Sequence, residues 1–167
     1  MGAMIVCWLR NGRRVLVRPL DADDKPTIQA GFERLSARSR YNRFLRAVKH
    51  LSADDLELLT RVDQKDHVAL LALDHHHGVG VARLIRLPDQ PQLAEFAITV
   101  VDSHQGLGLG KLLLQFLAYS ALARGVTTLR GWVHPENHAM RHLLLQAGAR
   151  LTASEPGLHC LDMALLG

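Results

Sequence analysis

The order of apolar and polar positions divides the chain into short segments of distinct period. Apolar, β-branched runs at Ile5 to Leu9 and Val15 to Val17 flank Asn11-Gly12. Asn-Gly suits the positive φ angles of a tight hairpin turn, so the chain is predicted to open with two antiparallel strands. Asp21 to Leu35 predicts a helix, with Asp residues at its start and Pro26 in its first turns. Ser39 to Val48 predicts a second, basic helix. Ser52-Ala53-Asp54-Asp55 has the form of a capping box, and Leu56, Leu58 and Leu59 follow it in a third short helix ending near Asp63. Three strand signals come next: His67 to Leu73, Val79 to Leu87 and Leu93 to Val101. The turns between them are His75-His76-His77-Gly78 and Pro88 to Pro91, which gives an antiparallel meander. The period then changes. Gly106 to Ala123 is an apolar helix, Val126 to Val133 a strand, and Asn137 to Ala147 a helix with Asn137 as N-cap and Gly148 as its stop. Ala149 to Leu151 and His159 to Leu165 can close the sheet. The expected class is α/β, with a mixed, mostly antiparallel sheet flanked by helices.

Composition adds bounds to this picture. The chain has 167 residues, 48% hydrophobic and 22% charged, which is the balance of one packed domain and argues against disorder. No linker, repeat or low-complexity block divides it. The net charge of +4 is modest for a dedicated nucleic-acid binder. The apolar start Met4 to Leu9 is too short for a signal peptide, and Leu112 to Ala123, interrupted by Gln115, is far short of a membrane span. Cys7 and Cys160 are the only cysteines. They make neither a disulfide framework nor a four-cysteine metal site, so a cytoplasmic location is expected.

The sharpest local feature is Gln105-Gly106-Leu107-Gly108-Leu109-Gly110-Lys111, between a strand and a long helix. Glycines leave the backbone unshielded, so successive N–H groups can converge on one anion, and a helix N-terminus adds partial positive charge. A pyrophosphate is the natural ligand; a plain flexible turn is the alternative. A Walker loop would need Ser or Thr after Lys111, where Leu112 stands. A dinucleotide-binding loop would follow the first strand of a parallel unit and have an acid roughly 20 residues on, and Arg124 to Arg130 contains none.

Gln105-x-x-Gly108-x-Gly110 resembles the acyl-CoA pyrophosphate loop of the GCN5-related N-acetyltransferase family, and the element order resembles that fold over nearly the whole chain. Arg18-Pro19-Leu20, Ser36, Ser39-Arg40-Tyr41-x-Arg43-Phe44, Leu51-Ser52, Leu59-Thr60-x-x-Asp63 and Ala94-Glu95-Phe96-Ala97 resemble the acetyltransferase domain of bacterial protein-lysine acetyltransferases, which modify acyl-CoA synthetases. The resemblance implies one acyl-CoA N-acyltransferase domain over residues 1–167, using acetyl-CoA as co-substrate and no metal. It implies a strand over Leu93 to Val101 that splays from its parallel neighbour Val126 to Val133. Backbone groups of Ile98 and Val100 would hold the pantetheine arm, with an N–H near Val100 facing the thioester oxygen. Gln105, Gly106, Gly108, Gly110 and Lys111 would hold the pyrophosphate, and Asn137 would touch the arm.

Glu95 is the general-base candidate. An amine of pKa about 10.4 is protonated at neutral pH and cannot attack a thioester until a base takes its proton. The structural alternative pairs Glu95 with Arg83 or Arg130; the family position favours the base. Many relatives carry a Tyr as general acid where Leu144 stands here, and Ala149 replaces the usual Phe after Gly148. Only Tyr41 and Tyr119 are present. A thiolate of pKa about 8.5 can be protonated by water instead.

His134, His138 and His142 invite a metal reading, but Pro135 and the cap at Asn137 put His134 outside the helix. No third ligand is then obvious. Arg34, Arg38, Arg40, Arg43, Arg46 and Lys49 form a basic run that reads as a solvated helix face. Its functional readings are an acidic partner surface or the CoA phosphates. Tyr41 and Phe44 interleave with it, but no nucleic-acid motif accompanies them. The expected partners are acetyl-CoA and an amine acceptor, a protein lysine or a small amine, without membrane or nucleic acid. A non-catalytic CoA-binding module is a separate reading. Oligomeric state is open, with a homodimer one candidate.

Overall fold

A computed structural model describes residues 3–166. These residues form eight strands: β1 (Ile5–Trp8), β2 (Arg14–Pro19), β3 (His67–Asp74), β4 (His77–Leu87), β5 (Gln90–Val100), β6 (Thr128–Val133), β7 (Arg150–Glu155) and β8 (Leu158–Ala164). Five α-helices accompany them: α1 (Lys25–Glu33), α2 (Ala37–Phe44), α3 (Ala53–Thr60), α4 (Leu109–Leu122) and α5 (His138–Gln146). One sheet runs in the order β1-β2-β3-β4-β5-β6-β8-β7, and every neighbouring pair is antiparallel except β5 and β6. The expected mixed sheet is therefore present.

Helices cover both faces. Leu109, Leu113, Leu117 and Ala121 recur at fourfold spacing along α4 and are at most 1% exposed. Burying each leucine is worth roughly 1.5–3 kcal/mol. Their core includes Phe96 and Ile98 of β5 and Leu144 of α5. Side chains alternate along a strand, so Glu95, Ala97 and Thr99 point to the other face. There α1 and α3 pack, with Ile28, Leu71 and Val81 in a second apolar cluster.

Three local expectations are corrected. The first hairpin turn is wider than two residues: Leu9 to Arg13 lie between the strands, Gly12 has φ +82°, and Asn11 Oδ1 accepts from Arg13 N–H at 3.0 Å. The second helix starts and ends earlier than Ser39 to Val48. Ser36 Oγ accepts from Ser39 N–H at its start, and Leu45 closes it in a left-handed conformation, φ +60°. The apolar helix begins at Leu109, because Gly106 and Gly108 adopt positive φ, +74° and +91°. The third helix carries its capping box as expected, with Ser52 and Asp55 each accepting from the other's N–H. Among the described residues no helix is long and apolar enough to cross a membrane. Cys7 and Cys160 are unbridged.

Candidate active site

The parallel pair β5–β6 creates the site. Pairing runs only from Leu93/Thr128 to Phe96/Gly131, although β5 continues to Val100 and β6 to Val133. The strands part beyond that point. Val101 N–H donates to Val79 O across the β4 side at 3.0 Å. Alternation in an antiparallel ladder then turns the N–H groups of Ile98 and Val100 away from β4 and into the gap. The gap opens into a cleft of about 700 Å³, within the range of small-molecule sites. Ile98, Val100, Gln105, Gly106, Gly108, Gly110, Lys111 and Asn137 all line it.

The glycine loop is held from behind. His104, 7% exposed, donates from Nε2 to Asp74 Oδ2 at 2.8 Å, with Ser103 Oγ 2.9 Å from its Nδ1. Asp74 also accepts from His75 Nδ1 at 2.9 Å and Arg13 at 2.8 Å. His104 first, then His75 and Arg13, hold its carboxyl well below the usual carboxylate range despite its burial. Gln105 ties the loop to its neighbours: its side-chain amide donates to Val100 O at 3.0 Å and to Ser39 Oγ at 3.1 Å. Its side-chain donors are thus both engaged within the protein, and the residue lines the cleft. Asn137 caps α5 by accepting from Met140 N–H through Oδ1, which leaves its amide nitrogen for the cleft.

Two residues at the site were not foreseen. Arg10, in the first hairpin turn, donates its backbone N–H to Leu107 O at 3.1 Å, and its guanidinium lies 3.5 Å from Gly106 O. It lines the cleft beside Lys111 and adds a second cation to the loop. Trp132 of β6 also lines the cleft and donates Nε1–H to Glu95 Oε2. Glu95 itself is half-buried on the α1 face, beside the last paired residues, and is not part of the cleft wall. Neither alternative partner takes it. Arg130 makes a bidentate pair with Asp162 at 2.8 and 2.9 Å, and Arg83 donates to Leu59 O at 2.8 Å.

The remaining expectations divide. Leu144, at the position of the missing tyrosine, is fully buried. Tyr119 is 75% exposed, and Tyr41 stands edge-on to His134. His138 and His142 line the cleft, and the described residues contain no group of three metal-type side chains. The basic run is not the uniformly solvated helix face expected from sequence. Arg34 donates to Gly78 O at 2.7 Å, and Arg40 donates to Phe32 O and Lys49 O while lying over the Phe32 ring. Arg38 lines the cleft and Arg43 turns inward. Capping free carbonyls and covering a ring are uses of arginine that helical spacing does not reveal.

Residues 32–149 match the family model described as the acetyltransferase (GNAT) family. An acetyltransferase of Pseudomonas aeruginosa is 34% identical over 84% of this chain and 77% of its own length. The acetyltransferase Pat of Mycolicibacterium smegmatis is 32% identical over 84% of this chain, which spans only 43% of that protein. Among solved structures, the GNAT domain of Streptomyces lividans PAT is 31% identical with a TM-score of 0.91, covering 96% of both chains. A cAMP-binding acyltransferase from Mycobacterium smegmatis is 25% identical with a TM-score of 0.70, over 99% of this chain and 48% of its own. With the splayed strands and the glycine loop in place, these matches make the chain a member of the GNAT acetyltransferase family, the acetyl-CoA-dependent N-acyltransferases.

Proposed function

We propose that residues 1–167 form a domain that transfers an acetyl group from acetyl-CoA to a primary amine, with protein lysines as the acceptor class, and with Glu95 as general base. The observation that carries this reading is the pair of N–H groups, Ile98 and Val100, facing a gap that leads to the glycine loop. Backbone donors without a strand partner suit the amides of a pantetheine arm, as an added strand would. The loop suits a diphosphate: Gly106 and Gly108 hold conformations in which amide groups can converge, α4 starts there, and Arg10 and Lys111 supply charge.

Acetyl-CoA supplies an acyl group activated as a thioester. The Val100 N–H is the donor assigned to the thioester oxygen. Glu95 Oε1 is the acceptor for the amine proton, directly or through one water, while Trp132 fixes the carboxylate through Oε2. No side chain is assigned as general acid, since a thiolate leaves readily at neutral pH. The free thiols of Cys7 and Cys160 support a reducing compartment, the cytoplasm, as its location. The resemblance of Ser39-Arg40-Tyr41-x-Arg43-Phe44 and Ala94-Glu95-Phe96-Ala97 to protein-lysine acetyltransferases supports lysine as acceptor. A small amine is the second reading, favoured by the cavity described below. Release of free CoA thiol, measured with lysine peptides and small amines, tests the proposal. Thiol release that depends on acceptor supports it; acetyl-CoA binding without release for any acceptor contradicts it.

A further inference from the structure

On the face of the sheet that carries Glu95 lie two arginines, Arg83 of β4 and Arg43 of the overlying α2, that no acid pairs with among the described residues. Arg83 of β4 stands opposite Ala97 of β5, and Glu95 stands opposite Ile85, so Arg83 and Glu95 are diagonal neighbours on one face. Such diagonal positions are roughly 7–8 Å apart. Arg83 is 6% exposed; its Nη1 meets Leu59 O at 2.8 Å and His67 Nε2 at 3.2 Å, and its Nε is buried without a partner. Arg43 of α2 lies against the Phe44 ring at 4.8 Å and pairs with no carboxylate among the described residues. Arg43 and Arg83 both line one cavity of about 70 Å³, walled by Phe32, Leu35 and Leu71. A buried water takes roughly 10–15 Å³ on that measure, so a group of several atoms fits. Arg43 also lines the large cleft, so the two spaces meet at its side chain.

The electrostatics of this arrangement are one-sided. Burial pulls the Arg43 guanidinium down to about 10, and burial together with the nearby Arg43 pulls Arg83 down to about 9. Both stay charged at neutral pH. Other cations on this face have acids: Arg18 pairs with Asp24 and Arg130 with Asp162. A buried and a half-buried guanidinium side by side without an anion are unfavourable, and an oxyanion between them offsets that cost. Guanidinium forks match a carboxylate's two oxygens.

We propose that Arg43 and Arg83 form a subsite for a carboxylate carried by the amine acceptor, which places that acid near the amine presented to Glu95. This rests on the acetyl-transfer reading above and narrows its acceptor class. The carboxylate can belong to a free amino acid or to an acidic residue beside a lysine; the chemistry is the same.

The test pairs acceptors. Thiol release is measured with amino acids of increasing amine-to-carboxylate separation, each against the same amine without its acid, and with lysine peptides with and without an acidic neighbour. The expected result is a preference of about 10-fold or more in kcat/KM for at least one acid-bearing member. That ratio should collapse toward one in Arg43→Gln and Arg83→Gln. The series containing the preferred member identifies the source of the acid. A ratio near one in the wild type for every pair overturns the proposal and needs no variant. If no amine is acetylated, the transfer reading fails, and anion binding decides the subsite separately. Replacing chloride by acetate at fixed ionic strength should raise the wild-type Tm and leave Arg83→Gln unmoved. An equal response in both proteins overturns it.

Discussion

Two neighbouring glycines of the loop should respond to alanine with opposite signs. Gly108 has φ +91°, and a Cβ there would meet only the flexible Arg10 side chain, nearest at Nε, 3.5 Å, an ordinary contact. The cost of Gly108→Ala is therefore backbone strain, about 1–2 kcal/mol for an L-residue held left-handed. Gly110 lies in the first turn of α4 with no positive φ, and its Cβ would meet only Leu143 Cδ2 at 3.7 Å. Gly110→Ala should stabilise the free protein by roughly 0.5–1 kcal/mol, because alanine favours helix and narrows the unfolded ensemble. Both methyl groups nevertheless stand on the lining of the proposed diphosphate cup. Both should weaken acetyl-CoA binding, by about tenfold, or 1.4 kcal/mol. Urea unfolding without ligand reads the first effect and calorimetric titration with acetyl-CoA the second. Stability changes of the same sign would refute the loop geometry. Unchanged affinity in both variants would refute the cup.

Further consequences follow from the supporting residues. Arg10→Ala should raise KM for acetyl-CoA about three- to tenfold and reduce its salt dependence, with kcat retained, if its charge serves the phosphates. Trp132→Phe should lower kcat about tenfold while KM for acetyl-CoA changes little, because the carboxylate loses its orienting donor. Asp74→Ala should cost about 3 kcal/mol in urea unfolding, chiefly from the buried His104 left without a partner; the exposed Arg13 and His75 add little. Asp74 and Asp24 both have lowered pKa values; for Asp24, burial acts upward, and the bidentate Arg18 together with the Asp21 N–H outweighs it. A lowered carboxyl adds stability that is complete above its ordinary value of 3.8 and disappears as pH falls below it. The urea midpoint should hold near neutral pH and fall below about pH 4, and less steeply so in Asp74→Ala.

Much of the scaffold was legible because local chemistry dictates it. The loop glycines, the Asn137 cap and the Ser52 capping box each satisfy backbone groups within a few residues, so spacing alone reveals them. The placement of β8 between β6 and β7 is a choice of pairing partner, which alternation cannot express. The contacts that complete the site join residues far apart in the chain. Trp132 reaches Glu95 only because β5 and β6 pair in one register, and His104 reaches Asp74 from the far end of the meander. The basic run misled for a related reason. Helical spacing predicts which arginines share a face, but the long side chains of Arg34, Arg40 and Arg43 fold back over the sheet and the α1 end, where open carbonyls and the cavity await them.

The role of Glu95 is tested most directly by Glu95→Gln, which preserves shape and removes the basic oxygen. Acetyl-CoA affinity and acceptor-dependent thiol release should be measured on the same preparation. The carboxylate lies outside the cleft wall, so affinity should stay within a factor of about two, while kcat falls at least about 100-fold, the scale of a lost general base. Thiol release at the wild-type rate with affinity intact would remove Glu95 from the reaction.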